Sequence, residues 1–503
     1  MCCGHGALRL LVWQPSLTGS QLRQLHAQLL TSSLLADRFL PNNLLRAAPS
    51  PLRLFPRLRR ILLPHAFLPN NYTFSFLLTA AAALPADAAA APRRLVCTLH
   101  ALAAVFGWDA HVYVANGLIH AYASHGLLRH ARQVFDGSSR SRDACSWTSL
   151  LTGYARAGSL HDARALFDEM PHRTPVAWSA MLSAHVGAGG FADAIEVFDE
   201  MLRARVRPNR AAVVGALAAC GALGALEQGR WLHALVAGRR EVDGVVATAL
   251  VDMYGKCGSL DAARQVFAGM PERDRDVFAY TAMISALSDH GRCREAIEVF
   301  DRMQQGRGVR PNEVTFICLL SACARTGGLV GRAKEMFRSM SAVYGMDPGV
   351  EHYGSLVDVL GRAGLLSEAV DVVRGMPMRP DSYVLGALLN ACWVHGGVDG
   401  VEVGKQVVEW LAELGLDHSG VHVQLSNMYA CSSKWEDVVK VRTAMEEKKV
   451  AKVPGCSMVE VDGVAHEFVA GSHDPWIAPV VRELDGQLRL LGHDCNYYLQ
   501  EFA

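Results

Sequence analysis

The chain has no excess of either charge. Lys and Arg together number 49, as do Asp and Glu, so the formal net charge at pH 7 is +0. A nucleic-acid binder is often basic overall, so the balance speaks mildly against one. It leaves room for a local basic stripe, because binding depends on where charges sit. The sequence also lacks any C-x-x-C pair among its 13 cysteines, which excludes a zinc knuckle or a dithiol redox pair. Most cysteines lie in apolar phrases such as LLSACA and LLNACW and read as buried free thiols, suited to a reducing compartment. No charge-free apolar run reaches the roughly 18 residues that a membrane helix needs. No glycine-rich phosphate loop or other catalytic motif is present, and neither a cofactor nor a metal site is expected. Acidic residues are missing before Asp37, a composition that suits an organellar presequence over residues 1–20.

What is there is apolar and repetitive. Half of the 503 residues are hydrophobic and 19% are charged, enough to bury a large core. Three phrases superpose: NGLIHAYASHGLLRHARQVFD from Asn116, TSLLTGYARAGSLHDARALFDEM from Thr148 and SAMLSAHVGAGGFADAIEVFDEM from Ser179. The phrases starting at Thr248 and Thr281 continue the series. An aromatic closes each phrase at Phe135, Phe167, Phe198, Phe267, Phe300 and Phe337, with gaps of 32, 31, 69, 33 and 37 residues, 69 being two repeats.

Each unit has the pattern of a helical hairpin. Apolar residues three and four apart, such as Leu118, Ile119 and Tyr122, share one helix face. A glycine follows (Gly126, Gly158, Gly258, Gly291) and supplies the positive φ that ends the first helix. In the second helix Ala131, Ala163, Ala194, Ala263, Ala296, Ala333 and Ala369 hold one position, where a small side chain permits close helix approach. A two-helix unit cannot bury its apolar face alone, so the expected fold is all-α, a right-handed α-solenoid of stacked helix-turn-helix repeats.

The phrases resemble the pentatricopeptide repeat family, in its plant PLS type of long, short and standard repeats. TALVDMYGKCGSLDAARQVFAGMPERD is similar to its short repeat, ALAACGALGALEQGRWLHALV to its long one, and AYTAMISALSDHGRCREAIEVFDRMQQGRGVRPN to its standard one. Tetratricopeptide repeats keep a stricter period of about 34 and a Trp-Leu-Gly-Tyr signature that is missing here. The resemblance implies a repeat array over 71–381, with repeats at 112–143, 144–174, 175–209, 210–243, 244–276, 277–312, 313–349 and 350–381. Residues 21–70 read as degenerate or truncated repeats: 43–70 are proline-rich and too short for the repeats the family pattern would place there.

Arrays of this kind read single-stranded RNA at one base per repeat. The resemblance implies that the fifth and last residues of each repeat do the reading: Thr or Ser with Asn for adenine, Thr or Ser with Asp for guanine, Asn with Asp for uracil. Carried over, Asn116 with Asp143 implies uracil and Thr148 with Thr174 leans to a purine. Ser179 with Asn209 implies adenine, Thr248 with Asp276 guanine, and Thr281 with Asn312 adenine. Val214 and Ile317 cannot pair with a base edge, so their repeats are expected to act as spacers. The expected target is 5′-U-purine-A-N-G-A-N-N-3′. Each of these polar residues has a second explanation, since Asn, Ser, Thr and Asp also cap helix starts.

Beyond the array, 382–452 resembles the two E motifs of the editing subgroup, and 453–503 the E+ segment that follows them, with VPGCSMVEV as its most recognisable phrase. The alternation in SMVEVDGVAHEFV predicts a small β-hairpin turning at Asp462-Gly463, and the final WIAPVVRELDGQLRLLG an amphipathic helix. Proteins ending this way position a cytidine for conversion to uridine. A zinc deaminase needs H-x-E followed by P-C-x-x-C, and none of the 20 histidines has Glu two residues later. His466-Glu467 has the wrong spacing and reads as hairpin surface. The chain is therefore expected not to be an enzyme but an RNA-binding specificity factor that recruits a deaminase-bearing partner, with no membrane insertion. Mitochondria are the expected site, chloroplasts the alternative. Two other functions fit the same fold: splicing or transcript stability, and a scaffold that binds protein.

Overall fold

The computed structural model describes residues 69–469 apart from 85–89, 139–141, 239–241, 306–307, 327, 396, 415–418, 432–433, 448–455 and 462–463. The expected presequence, the truncated repeats up to residue 68 and the final amphipathic stretch lie outside the described residues.

The chain divides into two compact units, residues 1–219 and 220–503. In the first, α1 (Asn71–Ala82), α2 (Ala90–Val105), α3 (Val112–Ser124) and α4 (Leu128–Gly137) are followed by α5 (Ala144–Arg156) and α6 (Leu160–Glu169). α7 (Pro175–Gly187), α8 (Phe191–Arg203) and most of α9 (Arg210–Leu223) complete it. The second continues with α10 (Leu226–Gly238), α11 (Gly244–Lys256), α12 (Leu260–Gly269), α13 (Val277–Asp289), α14 (Cys293–Gln305), α15 (Glu313–Thr326) and α16 (Val330–Ala342). α17 (Val350–Arg362), α18 (Leu366–Arg374), α19 (Ser382–His395), α20 (Gly397–Glu413), α21 (Ser419–Cys431) and α22 (Trp435–Glu447) follow. The unit ends in β1 (Cys456–Val461) and β2 (Val464–Val469), antiparallel, with Cys456 opposite Val469 and Val461 opposite Val464. That is the hairpin the alternation predicts.

Local chemistry explains the hairpins. At the end of α3 the Leu127 N–H donates to Tyr122 C=O at 2.9 Å and Gly126 N–H to Ala123 C=O at 3.1 Å, with Gly126 at φ 72°. This is a Schellman stop, which satisfies carbonyls the helix would otherwise leave orphaned. The same closure recurs where Ser159 donates to Tyr154 and Ser259 to Tyr254. The second helix then buries one stripe and solvates the other. In α4, Ala131 and Phe135 are fully buried while Arg132 pairs with Asp136 at 3.1 Å outside. All seven alanines of the series, from Ala131 to Ala369, are fully buried.

Each first helix packs on the first helix of the next hairpin: α1 on α3, α3 on α5 and α5 on α7 in one unit; α11 on α13, and so on to α19, in the other. A Cβ at Gly255 would lie 2.6 Å from Ala286 Cβ, and one at Gly361 2.5 Å from Ala391 Cβ. Only a glycine–alanine pair lets these helices touch there, and a larger residue would cost about 1–3 kcal/mol in overpacking. This chain of neighbour contacts is that of an α-solenoid of helix-turn-helix repeats.

One expectation is corrected in part. Cys220, Cys293, Cys323 and Cys392 are buried free thiols, but Cys97, Cys145 and Cys431 are exposed, each on the solvent side of its helix. No group of His, Cys, Asp and Glu among the described residues is placed to hold a metal ion. None of the described helices is long and apolar enough to cross a membrane.

Candidate nucleic-acid interface

Every first helix must satisfy its leading N–H groups, and ahead of α5, α7, α9, α13 and α15 the side chain just before the helix does so. Asp143, in extended backbone, accepts from Ser146 N–H at 2.9 Å. Thr174 accepts from Ala177 N–H at 3.3 Å and Asn209 from Ala212 N–H at 2.8 Å. Asp276 accepts from Phe278 and Ala279 N–H at 3.0 Å, and Asn312 from Thr315 N–H at 2.9 Å. The capping explanation therefore holds for the last residue of all five reading pairs. It also fixes where these residues are: a cap cannot leave the helix end that it closes.

The pairs differ in whether cap and partner meet. Asn116, in α3, donates from Nδ2 to both carboxylate oxygens of Asp143 at 3.0 and 3.1 Å, while Ser146 Oγ donates to Asn116 Oδ1 at 2.6 Å. Burial pushes the Asp143 carboxyl up, but the Ser146 N–H, the Asn116 amide and the Ser146 hydroxyl outweigh it and hold the group below its ordinary value. Asn209 Nδ2 reaches Ser179 Oγ at 3.4 Å. Thr281 Oγ1 meets Thr315 Oγ1 at 2.8 Å, and Thr315 in turn donates to Asn312 Oδ1 at 2.8 Å. By contrast Thr148 and Thr248 turn back along their own helices, to Ala144 C=O and Gly244 C=O, both at 2.8 Å. The hydrogen bonds of these two threonines do not run to Thr174 or Asp276.

Beside each cap, the second residue of the first helix is apolar and solvent-facing in most repeats: Tyr72, Tyr113, Val176, Val245, Phe278, Val314 and Tyr383. Tyr113 is 66% exposed and Phe278 64%. Single exposed apolar residues are ordinary; the same helical position exposed in hairpin after hairpin is not. Between α5 and α7 the surface forms an open groove of about 550 Å³, lined by Val176, Ser179, Thr152, Ser183 and Arg156 among others. An apolar wall, two or three hydroxyls and one guanidinium thus share one groove.

Reading the sequence alone missed these apolar positions, and missed Ser146 and Thr315, which link partner to cap. Val214 and Ile317 are half-buried. At Gly354 a Cβ would lie 2.5 Å from the Tyr383 ring, so that ring fills the place a reading side chain would take.

Stacked helical hairpins, most of which bring a polar cap or an exposed apolar residue to one end of the first helix, define a helical-repeat protein with a modular surface. Comparison gives the family. Models described as PPR repeat match residues 113–140, 145–173, 176–206, 245–274 and 351–379, a PPR repeat family model matches 275–325, and an E motif model matches 399–460. The pentatricopeptide repeat-containing protein At3g62890 of Arabidopsis thaliana is 41% identical over 428 residues, covering 84% of this chain and 72% of its own length. ELI1, chloroplastic, from the same plant is 39% identical over 440 residues, covering 86% and 67%. At5g48910 is 42% identical over 414 residues, 78% of this chain. The chain belongs to the pentatricopeptide repeat family. It spans 63% of the length of At5g48910 and 62% of that of At1g59720, chloroplastic/mitochondrial, both from Arabidopsis thaliana. Among solved structures it is similar to maize PPR10 (TM-score 0.47, 18% identity, 85% of this chain and 71% of that one). PPR10 in complex with an 18-nt psaJ RNA element gives 0.45 and 16%, over 89% and 83%.

Proposed function

We propose that this protein binds single-stranded organellar RNA by sequence and serves as a site-recognition factor for C-to-U editing. In this reading residues 71–381 read the RNA, and the segments 382–452 and 453–503 receive a partner that carries the deaminase. One observation carries it: the recurrence, at the helix starts after Thr174, Asp276 and Asn312, of a polar cap, a polar partner one turn into the first helix of the preceding hairpin, and an exposed apolar side chain. An aromatic or aliphatic face supports a base by stacking, at roughly 1–3 kcal/mol per base. The two polar groups then meet its Watson–Crick edge. A scaffold that binds peptide needs no such polar pair at each step. The E motif match favours editing within the family, and the organellar names of several relatives favour a plastid or mitochondrial site, of which we propose the mitochondrion.

The decisive experiment is the extent of C-to-U conversion across all organellar transcripts in a loss-of-function line. Loss at one or a few sites, with U-purine-A-N-G-A upstream, is the expected result. Normal editing with altered splicing or transcript levels would replace the editing assignment. Base selection has its own test in the purified chain. Asp276→Asn should move preference at the fifth nucleotide from G to A, without loss of folding, because Asn caps a helix as well as Asp does.

A further inference from the structure

Before six of the caps stands one of two kinds of residue. Asn209, Asn312 and Asp381 follow Pro208, Pro311 and Pro380, whose rings lock φ near −65° and stiffen the approach to the helix. Asp143, Thr174 and Asp276 follow Arg142, Arg173 and Arg275 instead. An arginine backbone gives no such restraint, but its side chain does. Arg142 folds back over the end of α4: Nε donates to Phe135 C=O at 2.9 Å and Nη2 to Asp136 C=O at 3.2 Å. Its guanidinium carbon lies 4.2 Å from the Phe135 ring centre and 6.0 Å from that of Trp147, in the first turn of α5.

Arg173 repeats the arrangement. Its Nε donates to Phe167 C=O at 3.2 Å, it pairs with Asp168 at 3.3 Å, and it lies 4.8 Å from the Phe167 ring and 5.9 Å from Trp178. Arg275 donates to Ala268 C=O at 2.8 Å and lies 5.2 Å from the Phe267 ring. Ala268 stands where the other two have Asp136 and Asp168, and Arg275 Nε is buried without a hydrogen-bond partner, so this clamp is the loosest. In all three, the phenylalanine packs edge-on against an aromatic of the next helix: Phe135 on Trp147 at 4.8 Å, Phe167 on Trp178 at 4.7 Å, Phe267 on Tyr280 at 5.4 Å. The proline-led junction at Asn312 keeps the aromatic pair, Phe300 on Phe316 at 5.7 Å, without an arginine.

We propose that Arg142, Arg173 and Arg275 are positioning residues for base selection, each holding by its side chain the cap that proline holds elsewhere by its ring. The proposal rests on the RNA-reading assignment above. The guanidiniums are turned into the junction: the side chains of Arg142 and Arg173 are only 24% and 35% exposed, and their donors are directed at carbonyls and a carboxylate. A phosphate contact would need the opposite orientation. The clamp's planar fork and flat face are what a lysine cannot reproduce.

The test uses the full chain with Arg142→Ala and Arg142→Lys, and two sets of four RNAs, one varied only at the nucleotide facing Asn116 and Asp143 and the other only at the nucleotide facing Thr281 and Asn312. Dissociation constants are measured for each, with thermal melts alongside. The unaltered chain should prefer uracil. Both variants should lose that preference roughly tenfold, about one hydrogen bond's worth, and preference at the nucleotide facing Thr281 and Asn312 should hold. If all four affinities fall together and the preference survives, the arginine is a phosphate contact or a structural element and the proposal fails. If lysine restores the preference, charge alone suffices and the clamp is not the cause. If the unaltered chain shows no base preference here, the RNA-reading assignment itself falls, and the clamp with it. Should Arg142→Ala not fold, Arg275→Ala, which loses fewer contacts, puts the same question to the guanine preference.

Discussion

Asn116 with Asp143 and Thr248 with Asp276 hold the same two places in their repeats, yet the first pair is joined by hydrogen bonds and the second is open. A third residue that belongs to neither pair adds to the difference. At the third position of the following helix the first junction has Ser146, whose hydroxyl donates to Asn116 while its N–H donates to Asp143. The second has Ala279, which offers only its N–H. Thr315 does for Thr281 and Asn312 what Ser146 does for its own pair. On the proposed RNA reading, a base reaching a joined pair meets side chains already fixed, while one reaching an open pair must order them at an entropic cost. At the Asn116 and Thr281 junctions a hydroxyl of the next helix takes part in that pre-organisation, whereas Ser179 and Asn209 meet at 3.4 Å with Ala212 at the third position.

The largest expected effect breaks the joined pair. Asn116→Ala removes three hydrogen bonds and leaves Asp143 and Ser146 without their shared partner, so it should cost about 2–3 kcal/mol by denaturation. Thr248→Ala loses only a bond to its own helix and should stay within about 0.5 kcal/mol. Equal losses would show that the contact difference has no energetic meaning. Next, Ser146→Ala should cost about 1 kcal/mol, and the reciprocal Ala279→Ser should gain up to about 0.5 kcal/mol by completing the reciprocal cap at Asp276. Slowed exchange of the Asp276 N–H, the donor to the new hydroxyl, would show the new contact. The smallest effect is a pH dependence. Asp143 titrates lower in the folded chain than in the unfolded one, so its contribution is fully present above about pH 4 and is lost as pH falls through the folded value. Asp143→Asn should thus narrow its stability gap to the unaltered chain as pH falls below about 4, and a gap that stays constant on acidification would refute the assignment.

Much of the fold was legible because its determinants repeat within one unit. The glycines at 126, 158, 258 and 291 and the alanine series from 131 to 369 stand at fixed places, and each has the conformation or burial that the pattern implies. The reading residues were nameable for the same reason. Ser146, Thr315 and the arginine clamps were not, because each acts across a junction and an alignment of repeats separates them from what they touch. The exposed apolar positions were hidden by their own chemistry. In Phe278-Ala279-Tyr280 nothing in the residue types says that Phe278 is 64% exposed and Tyr280 only 8%; that follows from where the helix start meets its neighbour.

The cap that completes each reading pair stands at the threshold of the next hairpin, and this bears on how such a protein could be inherited and rearranged. A duplication that copied one hairpin from helix start to helix end would carry Asn116 but leave Asp143 behind. It would add a fold unit and write no new letter. On the proposed reading, to gain one letter a copied segment must run past its own second helix, from Gly137 on to the cap at Asp143, so the exchangeable cassette reaches beyond the folding cassette.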